Sequence, residues 1–239
     1  MTLCPKKTEV RELLTDDEFE AARKSTMTAF YTSPVIIKEM YAKLADMGFD
    51  GGRLLEPSCG IGNFIGMIPG DNTKVTGVEL DSLTGRIAQK LYPQAQIQVC
   101  GFENSKLKEN SFDAAVGNVP FGDIQIYDKK YNKNNLLIHD YFFSKSLDMV
   151  KPGGVVAFIT SKGTLDKLDP TARRLLAEKA EFLGAVRLPN NAFKANAETK
   201  VTSDIIFLQK RAEPLTITPE NEPSWIRTAK GQHDIEMNA

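Results

Sequence analysis

The chain has 239 residues, 41% hydrophobic and 26% charged, the balance of a globular domain rather than of a disordered, collagenous or coiled-coil chain. Its 30 basic and 31 acidic side chains nearly cancel to a net charge of −1, which excludes a purely electrostatic nucleic-acid binder but not a local basic face. No apolar run approaches a membrane span, no signal peptide is evident, and Cys4, Cys59 and Cys100 with His139 and His233 are too few for a disulfide framework or a cysteine-rich zinc site. A soluble, cytoplasmic protein without a bound metal is expected.

Thr15 and Glu18 have the spacing of a capping box, which predicts a short helix to about Lys24 in a helical N-terminal arm, residues 1–29. Ser33-Pro34 opens a second helix, with Val35, Ile36, Met40, Leu44 and Met47 largely on one face and Gly48 at its end. From Arg53 short apolar runs alternate with helical segments. Strands are expected at 53–56, 75–79, 97–100, 112–117, 155–160, 182–188 and 204–209, and helices near 63–68, 82–91, 136–150 and 170–181. This alternation predicts βαβ units, an α/β fold with a mostly parallel sheet and an antiparallel last strand. Residues 123–135 read as a mobile surface loop, and Phe142, Phe143 and Leu147 as core. After Arg211 the composition turns to Pro, Glu, Thr and Asn. Residues 212–239 are therefore expected to be a linker or tail, and 30–211 the α/β domain.

Two segments carry chemistry. Glu56-Pro57-Ser58-Cys59-Gly60-Ile61-Gly62-Asn63-Phe64 joins a strand, a glycine turn and a helix start, and Glu79-Leu80 ends the next strand with a carboxylate. A glycine turn admits close backbone approach, and an acid at that spacing can accept from both hydroxyls of a ribose, so a nucleoside-bearing cofactor is expected at the strands' carboxyl ends. The strand at 112–117 runs directly into Asn118-Val119-Pro120-Phe121. Its amide oxygen and the Val119 carbonyl can accept both hydrogens of one exocyclic amine, and Phe121 can stack on the heterocycle. That arrangement orients an amine for in-line attack on an electrophilic methyl group.

With these motifs in this order, the chain resembles the S-adenosylmethionine-dependent amino-methylating DNA methyltransferases, specifically the N6-adenine enzymes of the gamma arrangement, over roughly residues 30–210. The resemblance implies a Rossmann-like class I methyltransferase fold with a seven-stranded sheet and helices on both faces. Tyr31 and Thr32 stand for the motif at the cofactor's methionine end. Glu56, Pro57, Gly60, Gly62 and Phe64 stand for the methionine-binding motif, Glu79 and Leu80 for the ribose motif, and Glu103 for the adenine contact. Asn118, Val119, Pro120 and Phe121 stand for the catalytic tetrapeptide, with Asn118 also at the cofactor, and Phe193 for a second ring on the extruded base. Two residues depart from the family pattern: Val119 replaces its first proline, and Glu103 stands one residue later than its usual acid.

DNA containing a target adenine is the expected partner, in a restriction-modification setting. Phe193 reads as an exposed aromatic, while Lys129, Lys130, Lys133, Lys194, Lys200 and Arg187 are candidates for a phosphate-facing surface. About 30 residues follow Lys210, too few for a target-recognition module. Such a reader, or the helicase segment found beside methylase domains in large phage and mobile-element proteins, is expected outside this sequence. Two alternatives stay open: another planar amine (N4-cytosine, an RNA base or a protein glutamine), or a non-catalytic methylase-like module of a larger DNA-processing protein.

Overall fold

The computed structural model describes residues 15, 16, 19, 32–190, 192, 193, 202–230 and 236–238. Most of the expected N-terminal arm lies outside these residues; within it, the Phe19 N–H donates to the Thr15 carbonyl (2.9 Å) as in a helical turn.

Helix α1, Pro34–Asp46, begins as its sequence dictates: the Ser33 hydroxyl accepts the Ile36 N–H (3.4 Å) and proline fills the first position, where no hydrogen bond is lost. Its buried stripe is Ile37, Met40, Tyr41 and Leu44, while Val35 is 70% exposed. The i, i+3, i+4, i+7 spacing selects that face, so the expected stripe was right at Met40 and Leu44 and wrong at Val35.

Strands β1 (Gly52–Glu56), β2 (Thr73–Glu79), β3 (Gln96–Val99), β4 (Phe112–Asn118), β5 (Val150–Ser161), β6 (Ala180–Arg187) and β7 (Ser203–Lys210) form a seven-stranded sheet of order β3-β2-β1-β4-β5-β7-β6. The first five pair in parallel, and β7 inserts antiparallel between β5 and β6. Helices α2 (Ser82–Leu91), α3 (Ile138–Met149), α4 (Gly163–Asp166) and α5 (Thr171–Lys179) supply the crossovers, although the helix expected at 63–68 is only a 3-10 turn, Ile65–Met67.

Strand alternation divides the core into two layers. Leu54, Ala114, Val116, Val155, Ala157, Ile159, Ile205 and Phe207 face α1, whereas Leu55, Ala115, Val156, Phe158, Ile206 and Leu208 face α3 and α5. As expected, Phe142, Phe143 and Leu147 of α3 are core.

Two expectations about irregular segments are corrected. Residues 212–239 are not a loose tail throughout, because Trp225 and Ile226 are buried and Trp225 stacks on Phe182 of β6 (ring centroids 5.0 Å, 18° between planes). Beyond them, short strands β8 (Thr228–Lys230) and β9 (Glu236–Asn238) pair antiparallel. The Ile226 carbonyl accepts the buried Arg173 Nε–H (2.7 Å). The loop at 123–135 is anchored: Tyr131 is buried and its hydroxyl donates to Asp148 (2.7 Å). Among the described residues no helix is long and apolar enough to cross a membrane.

Phe143 is fully buried, 5.1 Å from the Phe158 ring. Phe143→Ala is expected to lower unfolding free energy by about 3–5 kcal/mol, measured by urea denaturation, since a ring-sized void would open between α3 and β5.

Candidate active site

Because β1, β2 and β4 are parallel neighbours, their last residues, Glu56, Glu79 and Asn118, emerge along one edge of the sheet. Ligands of open α/β sheets bind at this carboxyl edge. The glycine turn follows β1. There the Cys59 N–H donates to the Val78 carbonyl (2.9 Å) and the Gly62 N–H to the Cys59 carbonyl (2.8 Å). Gly60 (φ +54°) and Gly62 (φ +91°) both hold left-handed backbone, but for different neighbours. A side chain at Gly62 would overlap the Tyr92 ring, so this glycine serves packing; at Gly60 no protein atom lies within 4 Å of that position, leaving room above the turn for a ligand.

Two carboxylates meet beneath the turn. Glu79 accepts the Gly60 N–H (2.8 Å) and, through its other oxygen, the Asp81 N–H (2.8 Å). Burial raises its pKa, opposed by those N–H donors. Glu56 is 2% exposed and its Oε2 has no protein partner. Burial first, and the neighbouring Glu79 second, push its carboxyl well above the usual carboxylate range. A buried carboxyl lacking a donor, beside a second acid, favours a ligand that brings a cationic or N–H group.

Asn118 is fixed from two sides: the Ser58 hydroxyl donates to its backbone carbonyl (2.8 Å), and its own side-chain amide donates to the Thr32 hydroxyl (3.4 Å). Val119 is buried and its N–H donates to the Ile159 carbonyl of β5 (3.1 Å). A proline could not make that bond. The valine thus replaces a ring constraint with a ladder hydrogen bond, and the backbone before Pro120 is extended-biased in either case.

The other candidates are distributed unevenly. Tyr31 lies outside the described residues. Thr32 reaches Asn118, Pro57 is buried, Leu80 is 77% exposed beside Glu79, and Pro120 and Phe121 are half-buried. Glu103 sits on the 3-10 turn Phe102–Asn104 that follows β3, its carboxylate accepting the Asn104 amide (2.8 Å). Phe64 lies in the core under the glycine turn, with Tyr41 donating to its carbonyl (2.9 Å). Phe193 corrects the expectation of an exposed ring: it is 3% exposed and belongs to the apolar layer that includes Leu188 and α1. The basic face is thinner than its sequence indicated. Arg187 pairs with Asp204 (2.9 Å) and Asp166 (2.8 Å), and Lys130 with Glu109 (2.6 Å) and Asp148 (2.8 Å). Lys194 and Lys200 lie outside the described residues, while Lys129 and Lys133 are exposed. Sequence reasoning missed Ser58 as a brace, although it stands inside the quoted motif. It also missed the buried Lys145, whose partners are 4 to 43 residues away.

This sheet order, with an antiparallel seventh strand and the site at the carboxyl edge, is the fold of class I S-adenosylmethionine-dependent methyltransferases, and the cofactor expectation agrees with it. Within that class, residues 68–193 match the Eco57I restriction-modification methylase model, and the chain belongs to that family. It is 35% identical over 208 residues to Defense against restriction protein B of Escherichia phage P1, covering 84% of this chain and 9% of the phage protein. It is 26% identical over 205 residues to the rRNA N(6)-adenosine-methyltransferase metl-5 of Caenorhabditis elegans, covering 75% of this chain and 92% of that enzyme. A chain from Vibrio vulnificus YJ016, described as a modification subunit of a type I restriction enzyme, superposes with a TM-score of 0.65 at 18% identity, over 87% of this chain and 48% of that one.

Because burial opposes ionisation of Glu56, the ligand-free fold should lose stability as pH rises from the ordinary carboxylate value near 4.5 toward the raised one. Glu56→Gln should remove that contribution. Its denaturation midpoint, followed across pH, is expected to equal the wild type at acid pH and exceed it increasingly toward neutrality.

Proposed function

We propose that this chain transfers a methyl group from S-adenosylmethionine to the N6 amino group of an adenine extruded from DNA. The observation that carries the reading is the convergence of Glu56, Glu79 and Asn118 on one sheet edge, with Asn118 held by Ser58 and Thr32. When bound, the cofactor supplies a methyl group on a positively charged sulfur. Glu79 accepts from its ribose hydroxyls, and Glu56 is the acceptor for its ammonium group. Leu80 and Glu103 lie toward its adenine. Tyr31, Thr32, Pro57, Gly60, Gly62 and Phe64 shape the methionine end, some of them through packing alone.

At the acceptor, the Asn118 side-chain oxygen and the Val119 carbonyl take the two amino hydrogens, which directs the nitrogen lone pair toward the methyl group. Phe121 stacks on the base with Pro120 fixing the turn. Phe193 joins the stack only if its segment turns outward from its buried position; transfer does not require it. The proton leaves to water after transfer.

The match to a restriction-modification family supports DNA as acceptor, and the match to an rRNA N6-adenosine methyltransferase supports the same atom on a different polymer. Since the chain spans 9% of the phage relative, a target-recognition or helicase segment outside this sequence is part of the proposal. The test is transfer of labelled methyl to unmethylated DNA and to RNA in parallel, followed by nucleoside analysis. Label in N6-methyldeoxyadenosine supports the reading, label only in RNA or N4-methylcytosine moves the acceptor, and no label in any nucleoside overturns it. Asn118→Ala is expected to lower kcat roughly 100-fold or more while S-adenosylmethionine affinity stays within a few-fold. An unchanged rate would remove Asn118 from the chemistry.

A further inference from the structure

Lys145 is an outlier for its type. It lies in the middle of α3, 7% exposed, with its ammonium group facing the cofactor edge of the sheet rather than solvent. Lysine is almost never fully buried unless its charge is met. Here it is met three ways. Nζ donates to the Phe102 backbone carbonyl (2.7 Å), to Asp128 Oδ2 (3.0 Å) and to the Tyr141 hydroxyl (3.2 Å). It also lies 4.9 Å from the centroid of the Phe102 ring, within cation–π range.

These partners come from segments far apart in the chain. Phe102 opens the 3-10 turn that carries Glu103 after β3. Asp128 belongs to the loop that follows the Asn118–Phe121 tetrapeptide, and Tyr141 donates to the same Asp128 oxygen (2.8 Å). The Phe102 ring packs on Tyr141 (5.9 Å) and Phe142 (4.9 Å) of α3, so its turn is held to the helix by an apolar contact and a charged hydrogen bond together. Both bonds on Asp128 enforce one position of the loop.

We propose that Lys145 is a positioning residue for the adenine end of the cofactor. By fixing the Phe102 carbonyl it sets the turn that presents Glu103, and it draws the counter-charge for this from the loop next to the catalytic tetrapeptide. The inference rests on the cofactor reading above and adds a residue to it. Lys145 does not touch the reacting atoms. Its loss is felt as weaker recognition of the adenine ring, not as slower transfer at saturation.

The test uses direct calorimetric binding to the whole chain, without any acceptor, so that it is independent of methyl transfer. Lys145→Met alone would leave the half-buried Asp128 without its cation and destabilise the loop. The measured variant is therefore Lys145→Met with Asp128→Asn, which removes both charges. Its control is Arg211→Met with Glu181→Gln, which removes an ion pair (2.8 Å) on β6, away from the Asp128 loop. The first double variant is expected to bind S-adenosylhomocysteine about tenfold more weakly than wild type, the size of one charged hydrogen bond. It should also lose most of the wild-type preference for S-adenosylhomocysteine over S-inosylhomocysteine, in which a carbonyl replaces the adenine amino group and N1 carries a hydrogen. The control is expected to keep both affinity and preference. Wild-type binding by a folded Lys145→Met/Asp128→Asn chain, or equal weakening by the control, overturns the proposal and leaves the cofactor reading intact. If wild type binds neither compound, the cofactor reading itself fails, and the proposal with it.

Discussion

A carboxyl group buried without a hydrogen-bond donor is expensive, and Glu56 imposes that cost at the centre of the sheet edge. Much of the surrounding geometry follows from it. Glu79 is close enough to raise the Glu56 pKa further, yet its own charge is met by the N–H groups of Gly60 and Asp81. One acid is thus committed to shaping the turn and the other waits for a ligand. A ligand that carries an ammonium group and two vicinal hydroxyls would relieve Glu56 and share Glu79. The same pair explains why the turn needs glycine at position 60: the N–H aimed at Glu79 requires left-handed backbone.

The Asn118 end of the sheet edge is built by different means. Asn118 ends a strand that is buried on both faces, so its backbone cannot drift, and Ser58 and Thr32 fix its carbonyl and its amide from separate segments. Val119 is instructive because it breaks the family pattern without loosening the chain there. Its N–H pairs with Ile159 on β5, a constraint unavailable to proline. Orientation at this site is therefore shared between the β4–β5 ladder and the tetrapeptide's own stiffness. Helix α3 performs a comparable service on the other side, because Lys145, Tyr141 and Phe142 tie the turn after β3 and the loop after β4 to a single rigid element.

The legible parts of this protein were those encoded locally. Short apolar runs between helical segments placed all seven strands of the large sheet within a few residues, since strands covered on both faces read as continuous apolar runs. Ser33-Pro34 marked the start of α1, where the Ser33 cap is a bond spanning three residues. The short strands β8 and β9 and helix α4 were not anticipated, being too short to carry a period. Phe193 misled because its neighbours in sequence are polar, whereas its neighbours in space are the apolar side chains of another layer. The single Trp of the chain, in an otherwise polar stretch, was the available sign that residues beyond 211 pack.

By itself the sequence determined the α/β class, the order of the motifs, and the residue types available for cofactor and amine, because each of these depends on spacings of a few residues. Only the tertiary structure decided which polar groups are buried and whom they meet. Glu56 and Glu79 are 23 positions apart, Thr32 and Asn118 86, and Arg173 and Ile226 53. The charge state of a carboxyl, the orientation of an amide and the burial of a lysine depend on dielectric surroundings and on partners within about 3 Å, and the folded chain, not local spacing, sets those.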